Sequence, residues 1–148
     1  MKQIIPLVLL SLLSHLFFSC EKEQELGDLV GIWIWEKGTM ISSGITYTYP
    51  TQNLDRIEIY NLKGDHTYEF SSQLIFIDPP DTIGVHENGI WETSDNILTL
   101  TIKKHNGRDV DEYTKTNEYD MINSILTLTH IWEDKGVEWT VINQYSKQ

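Results

Sequence analysis

The residues able to do chemistry are few and scattered. A serine nucleophile needs a histidine and a carboxylate to activate it, and Ser71 or Ser72 with His66 and Asp65 is the set this chain offers. No Gly-x-Ser-x-Gly elbow accompanies them, so they read as polar turn and strand residues, and no catalytic residue is assigned. His66, His86, His105 and His130 are too widely separated for the local pairing of metal ligands that zinc sites show. They read as single strand or turn histidines, His86 beside Glu87 included. Asp109, Asp111 and Glu112 follow the Asn106-Gly107 turn and offer oxygen ligands, but without the spacing of a calcium loop. They read as a solvated acidic turn. General acid–base work by such carboxylates would need a shielded pocket, which spacing alone does not create. There is no glycine-rich loop leading into a helix to cradle phosphate. The expectation is a protein with no cofactor, no metal and no enzymatic activity.

The one cysteine, Cys20, has a different meaning. Lys2 opens the chain, Ile4 to Phe18 is almost wholly apolar, and Phe17-Phe18-Ser19 leads into Cys20. Charge, apolar run, small residue and cleavage point form the order of a secretory signal. The run is also short of the ~20 apolar residues of a spanning helix. A cysteine directly after the small residue resembles the bacterial lipoprotein box. The resemblance implies that residues 1–19 are a leader, that Cys20 is lipidated, and that 20–28 is a polar tether holding the protein to a membrane. Several acyl chains give firm anchoring, since each buried CH₂ contributes about 0.8 kcal/mol. The acidic run Glu21-Lys22-Glu23-Gln24-Glu25 resembles the surface-export signal of Bacteroidetes lipoproteins, which implies an outer-membrane and surface-exposed location.

Charge narrows the partners. Lys and Arg number 11 against 22 Asp and Glu, a formal net charge of −11, and loss of Lys2 makes the remainder more acidic. Nucleic-acid binding needs a basic footprint, and adhesion to anionic lipid needs a basic cluster. Neither is present, so membrane attachment falls to the lipid and no nucleic-acid partner is expected.

The elements that must position everything else are strands. From Leu29 onward apolar and polar residues alternate with period two, and Gly, Asn and Asp punctuate the runs. Tight turns are expected at Leu62–Asp65, Asn88-Gly89, Asn106-Gly107, Asn123-Ser124 and Asp134–Gly136. Asp78-Pro79-Pro80-Asp81 breaks another strand. Thr39 to Asn53 reads as a long loop or a ragged strand pair. This predicts an all-β domain over 29–148 of about eight to ten antiparallel strands, closed into a barrel that leaves no edge open or packed as a sandwich.

Leu29-Val30-Gly31-Ile32-Trp33 resembles the opening Gly-x-Trp strand of lipocalin-like domains. The later order also resembles the lipocalin-like lipoproteins of Bacteroidetes: Lys63-Gly64-Asp65 into Thr67-Tyr68-Glu69-Phe70, then Gly89-Ile90-Trp91, Ile97-Leu98-Thr99-Leu100 and Ile125-Leu126-Thr127-Leu128. The resemblance implies a single antiparallel up-and-down β-barrel of about eight strands, with Gly31 and Trp33 as the structural motif and an arginine from near the chain end over the tryptophan. Here the two arginines, Arg56 and Arg108, lie elsewhere.

A barrel of this size is just wide enough to fill with side chains or to hold one small ligand. Four of the five tryptophans, Trp33, Trp91, Trp132 and Trp139, can serve either purpose, as core or as the lining of a cavity that takes an apolar molecule or a sugar ring. The favoured expectation is non-enzymatic binding of a small apolar or amphipathic ligand, lined by Tyr68, Phe70, Trp91, Leu100, Leu128 and Trp132. The rival is a solid barrel that recognises a protein or glycan through an outer face or the 39–53 segment, with Tyr47, Tyr49 and Pro50 as contacts.

Overall fold

Turn chemistry cuts the chain into strands. Two-residue hairpin turns that match strand twist need positive φ at both central positions. Ser43/Gly44, Asp95/Asn96, Asn106/Gly107, Asn123/Ser124 and Lys135/Gly136 all have it. The computed structural model describes residues 27–51, 54–77 and 79–148, so the expected leader and Cys20 lie outside the described residues. The described strands are β1 (Gly31–Ser42), β2 (Ile45–Tyr49), β3 (Leu54–Leu62), β4 (Thr67–Ile77), β5 (Pro80–Ser94), β6 (Ile97–His105), β7 (Arg108–Ile122), β8 (Ile125–Asp134) and β9 (Val137–Lys147). No helix follows Gly31 among the described residues.

Every neighbour pair is antiparallel. The order is β2-β1-β3-β4-β5-β6-β7-β8-β9, and β9 returns to pair with β1. The result is the expected up-and-down barrel of eight strands, with β2 as an additional strand. The 39–53 segment resolves as a strand pair: β1 runs on to Ser42, turns, and comes back as β2.

Directly opposed residues share a face of a sheet, so the register fixes what points inward. Trp33 opposes Tyr60 and Lys147, Trp35 opposes Tyr145, Tyr145 opposes Leu126, and Trp91 opposes Leu100. These inward positions meet at one end of the barrel. Trp33, Leu62, Tyr68, Trp91, Leu98, Leu100, Ile102, Leu126 and Tyr145 are fully buried there. Backbone bonds tie that end down. The His66, Asn96 and Ser124 carbonyls of three successive turns accept from Trp91, Tyr119 and Lys147 of the next strand along.

The Gly-x-Trp opening has a physical reason here. Lys147 Nζ stands 5.3 Å from the centre of the Trp33 ring, a cation–π contact of about 0.5–1 kcal/mol at an exposed site. A Cβ on Gly31 would sit 2.7 Å from Lys147 Cε, and Gly31 has φ of 148°. Only glycine leaves both the conformation and the room for the lysine to reach the ring.

Asn88-Gly89 is not the expected turn. It lies within β5, where the register with β6 slips by one residue, a β-bulge. The turn is made later, at Asp95/Asn96. Gly89 marks close approach: its Cβ would fall 1.8 Å from the Thr101 carbonyl oxygen and 2.9 Å from Tyr68 Cε1. Glycine inside a strand has this second meaning, and the dipeptide alone does not distinguish it from a hairpin. Gly89→Ala is therefore expected to cost about 3 kcal/mol through overpacking, read from the urea midpoint. Gly64→Ala, with nothing within 4 Å of the new methyl, is the control and should leave the midpoint within experimental error.

Candidate functional site

The barrel does not close evenly along its length. The β1–β3 ladder runs only from Gly31/Leu62 to Ile34/Ile59, after which β2 takes over that edge of β1, from Gly38/Tyr49 to Ser42/Ile45. The β7–β8 ladder stops at Glu118/Thr129, and His130–Asp134 pair with β9 alone. At this end the wall is two lips, β3 to β7 on one side and β8-β9-β1-β2 on the other. A Thr51–Leu54 bridge spans one gap. His130 spans the other, donating from Nδ1 to the Thr116 carbonyl at 2.9 Å.

Between the lips lies a cup of about 550 Å³, lined by Arg56, Glu58, Tyr60, Phe70, Ser72, Val85, Glu87, His105, Tyr113, Lys115, Asn117, His130, Trp132, Val141 and Asn143. This is within the range of about 300–1,000 Å³ for small-molecule sites. A side branch of about 210 Å³ shares Arg56, Val141 and Asn143 with it and adds Thr39, Met40, Tyr49, Leu54 and Leu74. The branch is mostly apolar, and the main chamber mixes polar with apolar groups. Outside the β7–β8 gap is a shallow recess of about 260 Å³, which also touches Asn117.

The chamber is built around two buried carboxylates, Glu58 and Glu87, each 3% exposed. Glu58 takes an ion pair from Arg56 and a hydrogen bond from Tyr145 OH at 2.9 Å. Glu87 takes Lys115 Nζ on both oxygens at 2.8 and 2.9 Å, and His105 Nδ1 and Tyr113 OH at 3.3 Å. All four carboxylate oxygens thus have a partner. Burying a charge is tolerated when it is paired and hydrogen-bonded, and both conditions are met. The Arg56 guanidinium also lies 5.6 Å from the Trp35 ring centre, and Trp35 Nε1 donates to Asn143 Oδ1 at 3.1 Å.

The carboxylates leave a mark on the tyrosines around them. Burial, then the Glu58 and Glu87 charges, pushes the Tyr60 phenol well above its ordinary value. Burial, then Tyr60 and Glu58, does the same for Tyr145. Burial and Glu87 raise Tyr68, and burial and Glu87 raise Tyr113. The Tyr68 hydroxyl is buried without a hydrogen-bond partner.

At the rim, His130, Trp132 and Trp139 form an aromatic array on the second lip. The His130 and Trp132 centroids are 5.4 Å apart, and those of Trp132 and Trp139 are 6.1 Å apart at 10° between planes. Trp132 is 37% exposed.

Of the residues expected to line a ligand site, Phe70 and Trp132 border the cup. Tyr68, Trp91, Leu100 and Leu128 are packed in the closed end. Tyr49 borders the apolar branch, and Tyr47 stands exposed on β2. Sequence reading missed the chamber's charged residues, because in β3 the inward face is Arg56, Glu58 and Tyr60, while Ile57 points out and is exposed. The signal available was parity. Once Trp33 is inward and opposes Tyr60, positions 58 and 56 must be inward too.

Among the described residues, no group of three or more His, Cys, Asp or Glu is placed to hold a metal ion. No protein-family model matches the chain, and no curated protein matches it.

The buried phenols give a pH prediction. Folding raises the pKa of Tyr60, Tyr68 and Tyr145, so the folded state holds protons that the unfolded chain releases above about pH 10. Stability from these groups is complete below that pH and falls as pH rises toward their folded values. Tyrosinate absorbance should therefore rise in two stages. At least three of the seven tyrosines should ionise only together with loss of the near-ultraviolet circular dichroism. One smooth titration with the fold intact would contradict the burial described.

Proposed function

We propose that this protein holds a small amphipathic molecule in the open end of its barrel. The observation that carries the reading is a pair of adjoining spaces, a chamber of about 550 Å³ with a mixed polar and apolar lining and an apolar branch of about 210 Å³ that shares Arg56, Val141 and Asn143 with it. A solid barrel would have offered only an outer face or the 39–53 segment, and the cup favours a carrier over that rival. The lipocalin-like resemblance gains support from the closed end, where Lys147 covers the Trp33 ring from the last strand. That is the position where the family places an arginine. Nothing in the cup calls for a reaction: both buried carboxylates are engaged with cations or phenols, which suits a binding role.

Val141 borders both spaces, so Val141→Trp should fill their junction. With the neutral dye N-phenyl-1-naphthylamine, the parent protein should show energy transfer from tryptophan that saturates at one dye per chain. The Val141→Trp variant should bind at least tenfold more weakly at unchanged melting temperature. Equal binding by both would place the dye on the outer surface and overturn the cavity reading.

The same proposal holds the barrel in the cell envelope, by lipid on Cys20 with the outer membrane as its partner. The order Lys2, apolar run, Ser19, Cys20 supports this. Cys20→Ala should abolish radiolabelled palmitate incorporation and move the protein from the membrane to the soluble fraction. A variant that stays membrane-bound and labelled would refute lipidation at this position.

A further inference from the structure

Resting on the carrier reading above, we infer that the polar part of the ligand is an uncharged, polyhydroxylated head, a glycosyl group, with its alkyl chain in the apolar branch. Three features of the cup converge on this. The first is charge. Glu58 is matched by Arg56, and Glu87 by Lys115, within the chamber itself. A carboxylate or ammonium head would give up part of its hydration in a cup whose charges are already paired, and one charge would be left without a counter-ion. Desolvating an unmatched charge is costly. A neutral head has no such penalty.

The second is hydrogen-bond capacity. Ser72, Asn117 and Asn143 line the same chamber, and their hydroxyl and amide groups both donate and accept. The buried Arg56 Nε has no hydrogen-bond partner. A purely apolar ligand would cover these groups without replacing their water, and leaving buried polar groups unmet is expensive. Hydroxyls, which donate and accept, suit such a mixed lining.

The third is the aromatic rim. A sugar ring presents C–H bonds on its face, and the electron-rich face of an aromatic ring attracts their slight positive charge. The His130–Trp132–Trp139 array provides parallel ring planes beside the chamber, and Trp132 is both exposed and part of the lining. Met40, Leu54, Leu74 and Val141 in the branch then suit the alkyl portion of the same molecule.

The test is calorimetry on the full chain with four probes kept below their micelle concentrations: decyl maltoside, maltose, decanoate and decyltrimethylammonium. The expected result is one decyl maltoside per chain, bound at least tenfold more tightly than either charged decyl probe. Trp132→Ala should weaken decyl maltoside by tenfold or more and leave decanoate unchanged. Asn117→Leu, on the opposite lip, should act in the same selective way and provides an independent check should the tryptophan variant misfold. Maltose alone binding nearly as well would support the head and remove the alkyl chain from the proposal. Equal binding of all three decyl probes, or preference for decanoate, would overturn the glycosyl head while leaving the carrier reading intact. No binding by any probe, with N-phenyl-1-naphthylamine still bound, would also refute the head alone. Loss of both would refute the carrier.

Discussion

The pairing of strands across two seams governs the rest of this molecule. Along β1–β3 and β7–β8 the ladder holds at one end of the barrel and ends partway along. Where it holds, inward side chains are forced into one enclosed space, and large aromatics, leucines and Ile102 fill it. Where it ends, the same strands continue as two separate sheets, and their inward faces border solvent. One chain thus yields a dry core and a wet cup with no change of architecture. The division follows from ladder length alone. β2 has a place in this arrangement, because it covers the edge of β1 that β3 has left. An uncovered edge would be an invitation to pair with another chain.

The cup's charges are possible only because of that division. Glu58 and Glu87 sit just beyond the aromatic core, deep enough to be shielded and near enough to the opening for Arg56 and Lys115 to reach them with their charged ends partly hydrated. A pair in this position is costly to split, since removing one partner leaves a buried charge unmet, and replacing the whole pair by apolar groups is often neutral. Such pairs therefore add little to stability. They instead fix what the chamber presents: a surface of mixed donors and acceptors with no excess charge, although the chain as a whole is strongly acidic. The acidic residues are left to the outer wall and loops, as with Asp109 and Glu112, whose side chains are largely exposed. Net charge was no guide to the site for this reason.

Much of the fold was legible in the sequence and much of the site was not, for different physical reasons. Turns are local: Asn106-Gly107, Asn123-Ser124 and Lys135-Gly136 carry their conformational preference in two residues and fall where expected. Alternation is also local, and it gave the strands. The side of a strand that faces inward is not local. In β3 the isoleucines are the apolar face and yet point outward, because the register with β1 puts Tyr60 opposite Trp33. Similarly, Lys115 and Tyr113 of β7 are inward because they oppose Leu100 and Ile102. A rule that sends apolar faces inward works for the filled end and fails for the cup, where a polar lumen reverses it. All six expected lining residues come from that rule, and Tyr68, Trp91, Leu100 and Leu128 occupy the filled end, while Phe70 and Trp132 border the cup.

The same distinction between a residue's identity and its position explains the closed end. An arginine over the Gly-x-Trp tryptophan was sought by type, and neither arginine is near it. What the position requires is a long cationic side chain that can lie along the last strand and put its charge over the ring, with no Cβ in its path. Lys147 and Gly31 meet both conditions. Arginine differs from lysine in the planar fork that grips a carboxylate, and no carboxylate contact is involved in this one. The contact asks for charge, reach and clearance, so lysine is adequate there. In the cup the roles part: the Arg56 guanidinium lies 5.6 Å from the Trp35 ring centre while one of its nitrogens pairs with Glu58, so one delocalised cation serves a ring and a carboxylate at once. Each cation thus stands where its own chemistry is needed, and it is the strand register, more than the residue count, that puts it there.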